Sequence, residues 1–254
     1  MPDDKLYCIV QEFDAAMAAF QKKAVFPHGL EWAVAIKCGW DSVEFERHYS
    51  VYVESTQIKI GPEDDATKLK GVPLEMLARY FLEKGGLAKE IKEITAHSKW
   101  QIDGYGPVNR MAIQLCWGEE KCVQIGMQVY MEAKNHVDPV TNEEFSVHFR
   151  RMEEHQCNLG VIVSTSGYYI GKGQGIAESI YHNSAAKKFH ILLTFQSMMQ
   201  VVLEDKPPMA ILGEVLVYAL NNSYTHEKQV QKAYLAEACH RAAEKEYQRL
   251  FPSC

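Results

Sequence analysis

No stretch of this sequence approaches the roughly eighteen consecutive apolar residues of a membrane span. The first residues, MPDDKLYC, are charged rather than apolar, so no secretory signal is read there. No CxxC pair occurs among the seven cysteines, Cys8, Cys38, Cys116, Cys122, Cys157, Cys239 and Cys254. An odd number at irregular spacing suggests neither a zinc knuckle nor a disulfide framework. It reads as reduced, mostly buried thiols, hence an intracellular protein, cytoplasmic or nuclear if eukaryotic. Neither GxSxG nor HExxH is present, and His148 and His155 are too far apart on one helix for joint metal binding. An excess of basic residues is missing too: the formal net charge is -6. That argues against tight non-specific gripping of nucleic acid, which relies on neutralising phosphates, and leaves room for a local basic groove.

What is present is a globular composition. The 254 residues are 47% hydrophobic, enough for one sizeable core, or a core with a small extra module. Charged residues make up 24%, near the globular average of about 25%, so the chain is not of a disordered type.

Residues 1–66 form a first block. Phe13 to Phe20 has helical spacing, and the Val-, Tyr- and Trp-rich stretch from Glu31 to Ile60 reads as strands. Gly61-Pro62-Glu63-Asp64-Asp65 is a polar break. The second block, 67–204, opens with a helix. Pro73 suits its first turn, Leu74, Leu77, Ala78, Phe81 and Leu82 form its apolar stripe, and Gly85-Gly86 stops it. Strands are expected within Trp100–Val108, Met111–Trp117 and Cys122–Ala133, with a turn at Gly118-Glu119-Glu120. Thr141 and Glu144 form a capping box for a helix with Phe145, His148, Phe149 and Met152 on one face. Leu159–Ser164 and His190–Phe195 read as buried strands, and Ile176–Lys187 and Gln196–Leu203 as helices. The later alternation implies a partly parallel sheet covered on both faces. Residues 205–254 read as a helical extension, apolar over Ala210–Leu220 and amphipathic over Glu227–Leu250.

One strand carries a chemical signal. Alternate side chains of a strand face opposite ways, so Met127, Val129, Met131 and Ala133 share one face and Gln128, Tyr130, Glu132 and Lys134 the other. The apolar face explains the fold; a carboxylate beside an ammonium on the other face needs another explanation. Phosphodiester hydrolysis supplies one. It needs charge neutralisation at the phosphate, an activated water and a stabilised leaving oxygen. Mg²⁺ takes oxygen ligands, one or two carboxylates with water and substrate phosphate, and Asp103 and Glu132 suit that role. Lys134 is placed to orient or deprotonate the attacking water. The [DE]xK spacing alone is weak, since it recurs at Asp3/Lys5, Glu90/Lys92, Glu119/Lys121 and Glu204/Lys206. Context separates Glu132: an alternating strand, an aspartate on a preceding strand, and a capped helix after it.

Four segments together, Gly71–Ala78, Gln101-Ile102-Asp103-Gly104, Met131-Glu132-Ala133-Lys134 and Gly160–Gly167, resemble the PD-(D/E)xK nuclease superfamily, most of all its Mrr-like restriction-endonuclease branch. The resemblance covers roughly residues 70 to 200. It implies an α/β fold with an αβββαβ core, a mixed sheet flanked by helices, carrying the N-terminal α/β block and the helical C-terminal tail. It implies cleavage of double-stranded DNA with Mg²⁺, for which Mn²⁺ can substitute. It also implies metal ligation by Asp103, Glu132 and the backbone carbonyl of Ala133, a catalytic role for Lys134, and, in some branches, a glutamate on the first helix, where Glu75 stands. The stretch from Asp103 to Glu132 is longer than the short hairpin of such a core. Because restriction-type nucleases cut two strands, a homo-oligomer is expected, with the charged C-terminal helix as a contact.

Each residue also has a plainer reading. Asp103 precedes Gly104 as turn aspartates do. Glu132 and Lys134 can be a salt-bridged pair on an exposed sheet face, and Glu75 a first-turn carboxylate facing the helix dipole and Arg79. Lys172 in its glycine loop, Arg150, Arg151, Lys187 and Lys188 are the groove candidates for DNA, or ordinary solvated charges. Three rivals stand beside the restriction-type or defence nuclease: a junction resolvase or repair nuclease of the same superfamily, an inactive DNA-binding or assembly module, and an unrelated α/β protein. The last would hold Asp103 far from Glu132 and Lys134.

Overall fold

The computed structural model describes residues 28–58, 71–95, 101–135, 138–168 and 188–220. In chain order the elements are α1 (Gly29–Lys37), α2 (Ser42–Gln57), α3 (Val72–Lys84), β1 (Lys92–Thr95), β2 (Gln101–Pro107), α4 (Arg110–Trp117) and α5 (Glu119–Ile125). They continue with β3 (Gln128–Lys134), α6 (Asn142–Glu154), β4 (Leu159–Ser164), β5 (Phe189–Thr194), α7 (Phe195–Leu203) and α8 (Pro208–Leu220). The fold is α/β: among the described residues five strands make one mixed sheet in the order β1-β2-β3-β4-β5. β2 runs antiparallel to both neighbours, while β3, β4 and β5 are mutually parallel.

Strand alternation assigns the two faces. Val129, Met131, Val161, Val163, Ile191 and Leu193 enter the main core, where they meet α1, α2, α3, α7 and α8. The intervening positions lie under α6: Ile162 packs with Val140, Phe145 and Tyr168, and Tyr130 with Met152 and Cys157. The main core runs without a break from Val34 and Tyr49 through the sheet to Leu212 and Leu216, so described residues of all three sequence blocks share it.

Much of this follows from local chemistry. Leu74, Leu77, Ala78, Phe81 and Leu82 of α3 are all fully buried, as their spacing requires. After α3 the chain turns at Gly86, whose φ of 103° suits glycine. The capping box of α6 forms in full: Thr141 Oγ1 accepts from Glu144 N–H, and Glu144 Oε2 accepts from Thr141 N–H at 2.9 Å. β4 has the expected bounds, and β5, α7 and α8 begin one or two residues from theirs.

Two expectations are corrected. Of the stretch from Glu31 to Ile60, the described residues 31–58 hold helices, not strands: α1 and α2 are joined at Asp41, whose carboxylate caps α2 by accepting from Val43 N–H at 2.8 Å. Its core residues recur with helical period, Phe45, Tyr49, Tyr52 and Val53 all being buried, and that packing overrides the β preference of Val and Tyr. Met111–Trp117 is helix α4, not a strand, and the run from Cys122 to Ala133 is split between α5 and β3 at Gly126, φ 83°. Asn109 caps α4 and Gly118 joins the two helices. The first strand is instead Lys92–Thr95. The expected helices at Phe13–Phe20, Ile176–Lys187 and Glu227–Leu250, and the loop around Lys172, lie outside the described residues.

The segment that brings the chain into β1 lies directly on β2. A Cβ at Gly106 would stand 1.9 Å from the Glu90 carbonyl oxygen, and one at Gly104 would stand 2.5 Å from Ile91 Cγ2. Gly106→Ala is therefore expected to lower stability by about 1–3 kcal/mol, since a backbone atom must move to admit the methyl group. Urea denaturation measures it; an unchanged midpoint would show that residues 89–91 are not seated on β2.

Candidate metal centre

The β2–β3 ladder pairs Pro107 with Gln128, Gly106 with Val129, Tyr105 with Tyr130 and Gly104 with Met131, and there it ends. Asp103 and Glu132 are the next residue on each strand. Past the last pair, Asp103 Oδ2 accepts from Ala133 N–H at 2.8 Å, a side chain standing in for the missing ladder bond. On the other edge of β3, Lys134 C=O accepts from Thr165 N–H at 3.1 Å. Successive residues of a strand alternate edges, so the carbonyl of Ala133 turns toward Asp103.

Glu132 points under α6 and is only 4% exposed. Its Oε1 lies 2.7 Å from Lys134 Nζ and accepts from Arg151 Nη1 at 3.4 Å; its Oε2 accepts from His148 Nδ1 at 3.3 Å. Arg151 Nη1 also donates to Tyr130 Oη at 3.4 Å. On the α3 side, Arg79 donates from Nε and Nη2 to the Asp103 carbonyl, at 3.2 Å for Nε. Arg79 Nη2 also lies 3.5 Å from Glu75 Oε2 and 3.8 Å from Glu93 Oε2.

The three carboxyl groups are driven apart in acidity. Burial pushes Glu132 up, but the hydrogen bonds and charge of its basic neighbours outweigh it and hold the group well below the carboxylate range. Burial also lowers His148 from its ordinary value, against the hydrogen bond and charge of Glu132. Asp103 is raised, by burial first and then by the charge of Glu132, against the Ala133 N–H, Lys134 and Arg151. Glu75 rises to about 7, by burial and then by Asp103, with Arg79 opposing. Environments that separate neighbouring acids in this way provide charged and protonated groups at one pH.

The donor set can be tested against metals. Two carboxylates and one carbonyl oxygen suit a hard cation that keeps several waters. Among the described residues no group of three or more His, Cys, Asp or Glu side chains could hold a metal ion, so a cation here would rest on two carboxylates, one backbone carbonyl and water.

Sequence reasoning named Asp103, Glu132, Lys134 and Glu75, and the fold brings all four into one neighbourhood. Of the groove candidates, Arg151 turns inward onto Glu132, and Arg150 is exposed. Lys188 donates to the Cys157 carbonyl at 2.8 Å and to Asn158 Oδ1. Lys172 and Lys187 lie outside the described residues. His148, Tyr130 and Arg79 were not singled out for the site. The available signal was a histidine inside the otherwise apolar stripe of α6, three residues before an arginine.

Glu75 gives a pH test. A carboxyl raised in the folded state binds its proton more tightly there than in the unfolded chain. Its contribution is present below the unfolded value and lost as pH rises through about 7. Glu75→Gln lacks this loss, so the variant should gain on the wild type by on the order of 1–3 kcal/mol between pH 4.5 and pH 8. Parallel stability profiles of the two proteins would refute the raised value.

No family model, curated protein or solved structure matches the chain.

Proposed function

We propose that the chain is a metal-dependent nuclease that hydrolyses phosphodiester bonds of double-stranded DNA, of restriction or defence type. One observation carries the reading: Asp103, Glu132 and Lys134 meet where the β2–β3 ladder stops, with the Ala133 backbone held against Asp103. The element order supports it. α3, β1, β2, β3, α6 and β4 follow the αβββαβ pattern of the restriction-endonuclease-like core, and the inserted helices α4 and α5 account for the long stretch between Asp103 and Glu132.

In this reading Asp103, Glu132 and the Ala133 carbonyl would hold Mg²⁺, or Mn²⁺ in its place, which would supply charge neutralisation at the phosphate and a more acidic water. Lys134, on the same strand face as Glu132, orients the attacking water and adds positive charge beside the phosphate. Glu75, near half protonation at neutral pH, exchanges a proton with the reacting oxygens. Arg79, Lys134 and Arg151 place three positive charges among the carboxyl groups of this neighbourhood, where a phosphate backbone would need them. A junction resolvase or repair nuclease would use the same constellation.

One observation favours a second reading, a core that binds DNA or assembles without cutting: both oxygens of Glu132 are engaged by basic side chains and the group is nearly closed to solvent. Plasmid cleavage separates the two. Purified protein with Mg²⁺ or Mn²⁺ should nick or linearise plasmid, EDTA should abolish this, and Lys134→Ala should slow it at least about 100-fold. Failure to cut methylated, unmethylated and branched DNA would reject the nuclease reading in favour of the inactive core.

A further inference from the structure

Helix α2 buries one side and leaves the opposite side open. Phe45, Tyr49, Tyr52 and Val53 enter the core. At about 3.6 residues per turn, the residues turned away from them are Val43, Arg47, Ser50, Val51, Glu54 and, at the C-cap, Ile58. Three of these six are aliphatic and exposed: Val43 at 75%, Val51 at 48% and Ile58 at 39%. A single exposed apolar side chain is ordinary. On α2 they recur from one end of the helix to the other, interleaved with one cation and one anion, on the side that an amphipathic helix facing only water fills with polar groups.

The order of these residues is self-complementary. Val43 and Ile58 stand at the two ends, Arg47 and Glu54 one turn further in, and Ser50 and Val51 at the middle. Each pair is centred on the same point, between Ser50 and Val51. A second α2 laid antiparallel across a two-fold axis at that point sets Val43 against the partner's Ile58, Arg47 against the partner's Glu54, and Val51 against the partner's Ser50. Unlike charges then meet on both sides of the axis, with aliphatic side chains beyond them. A parallel pair would instead set Arg47 against the partner's Arg47 and Glu54 against the partner's Glu54, which repel. The charges are placed to make the antiparallel exchange. Glu54 is exposed and has no ion-pair partner among the described residues. Arg47, with its side chain 69% exposed, shares Glu44 Oε1 with His48 Nε2, which stands 3.3 Å from it, so Glu44 keeps a neighbour when Arg47 turns to the partner's Glu54.

We propose that the outer face of α2 is a self-association surface, on which a second copy of the chain docks antiparallel through two Arg47–Glu54 pairs about a centre at Ser50 and Val51. The inference is independent of the nuclease reading. A single helix face of this length offers less than the roughly 800 Å² per partner of a standard interface, so the dimer is a weak one.

Sedimentation equilibrium on the full chain tests it. The wild type should pass from monomer toward dimer between about 1 and 200 µM, as a Kd of about 10–100 µM requires. Arg47→Glu and Glu54→Arg each set like charges opposite one another twice, so each should weaken the dimer at least about 10-fold. The double variant Arg47→Glu/Glu54→Arg restores unlike pairs and should recover the wild-type affinity. Both positions point away from the core, so the thermal midpoints of the three variants should stay with that of the wild type. A wild type that is monomeric throughout the range overturns the proposal. A dimer that either single reversal leaves unchanged overturns it too, because association then lies elsewhere on the chain. So does a double variant as weak as the singles, because Arg47 then does not face the partner's Glu54.

Discussion

The site depends on a backbone N–H that has run out of strand. Where β2 and β3 stop pairing, the Ala133 N–H faces the β2 edge with no carbonyl opposite, and an unpaired buried donor is costly. Asp103 Oδ2 fills that place at 2.8 Å. The bond fixes the aspartate, holds the two strand ends together after the ladder has closed, and sets the edge toward which the Ala133 carbonyl points. On the other edge, Lys134 C=O is tied to Thr165 N–H, and Thr165 Oγ1 donates to Asn135 Oδ1 at 2.9 Å while accepting from Tyr52 Oη at 2.8 Å. Helix α2 thus braces, through Thr165, the strand end that carries the lysine.

Around this end the protein brings together charges that an apolar core would exclude. Glu132 is kept ionised in a closed layer because Lys134, Arg151 and His148 surround it. Asp103, with fewer direct partners, is pushed the other way. Glu75 is separated from both by Arg79, whose guanidinium bonds the Asp103 carbonyl and faces the Glu75 carboxylate. A change at one of these groups therefore alters the acidity of the others, and their titrations belong to the cluster. The overall net charge of -6 gives no hint of this local balance.

How much was legible depends on how local the cause was. The stripe and glycine stop of α3, the Thr141–Glu144 box and the apolar runs of β4 and β5 act within a few residues, and each was read correctly. Alternation placed Glu132 and Lys134 on one face, but not what covers that face. It is α6, so Glu132 is buried and Lys134 half-buried rather than on an exposed sheet. The Val- and Tyr-rich segment of α2 was misread because its β-preferring residues follow a helical spacing that only packing against α3 and Phe195 reveals. The helices α4 and α5 were misread because each is about two turns long, too short for periodicity to separate helix from strand. The contacts of His148 and Arg151 with Glu132 join different elements, and no local pattern encodes them.

The cluster is difficult to explain as a stabilising device. Replacing a buried ion pair with well-packed apolar residues is often neutral or stabilising, because desolvation offsets much of the attraction. The rest of the layer under α6 is built that way, from Val140, Phe145, Ile162 and Tyr168. Toward Asp103 it turns into a carboxylate, an arginine and His148, while His190 packs against Phe145; His148 Nε2 and both ring nitrogens of His190 have no hydrogen-bond partner among the described residues. A fold under pressure for stability alone would continue the apolar packing to the edge. The change of character coincides with the point where the β2–β3 ladder opens and a backbone carbonyl turns toward two acids. The proposed nuclease reading would account for that coincidence of costly charge with an open strand end.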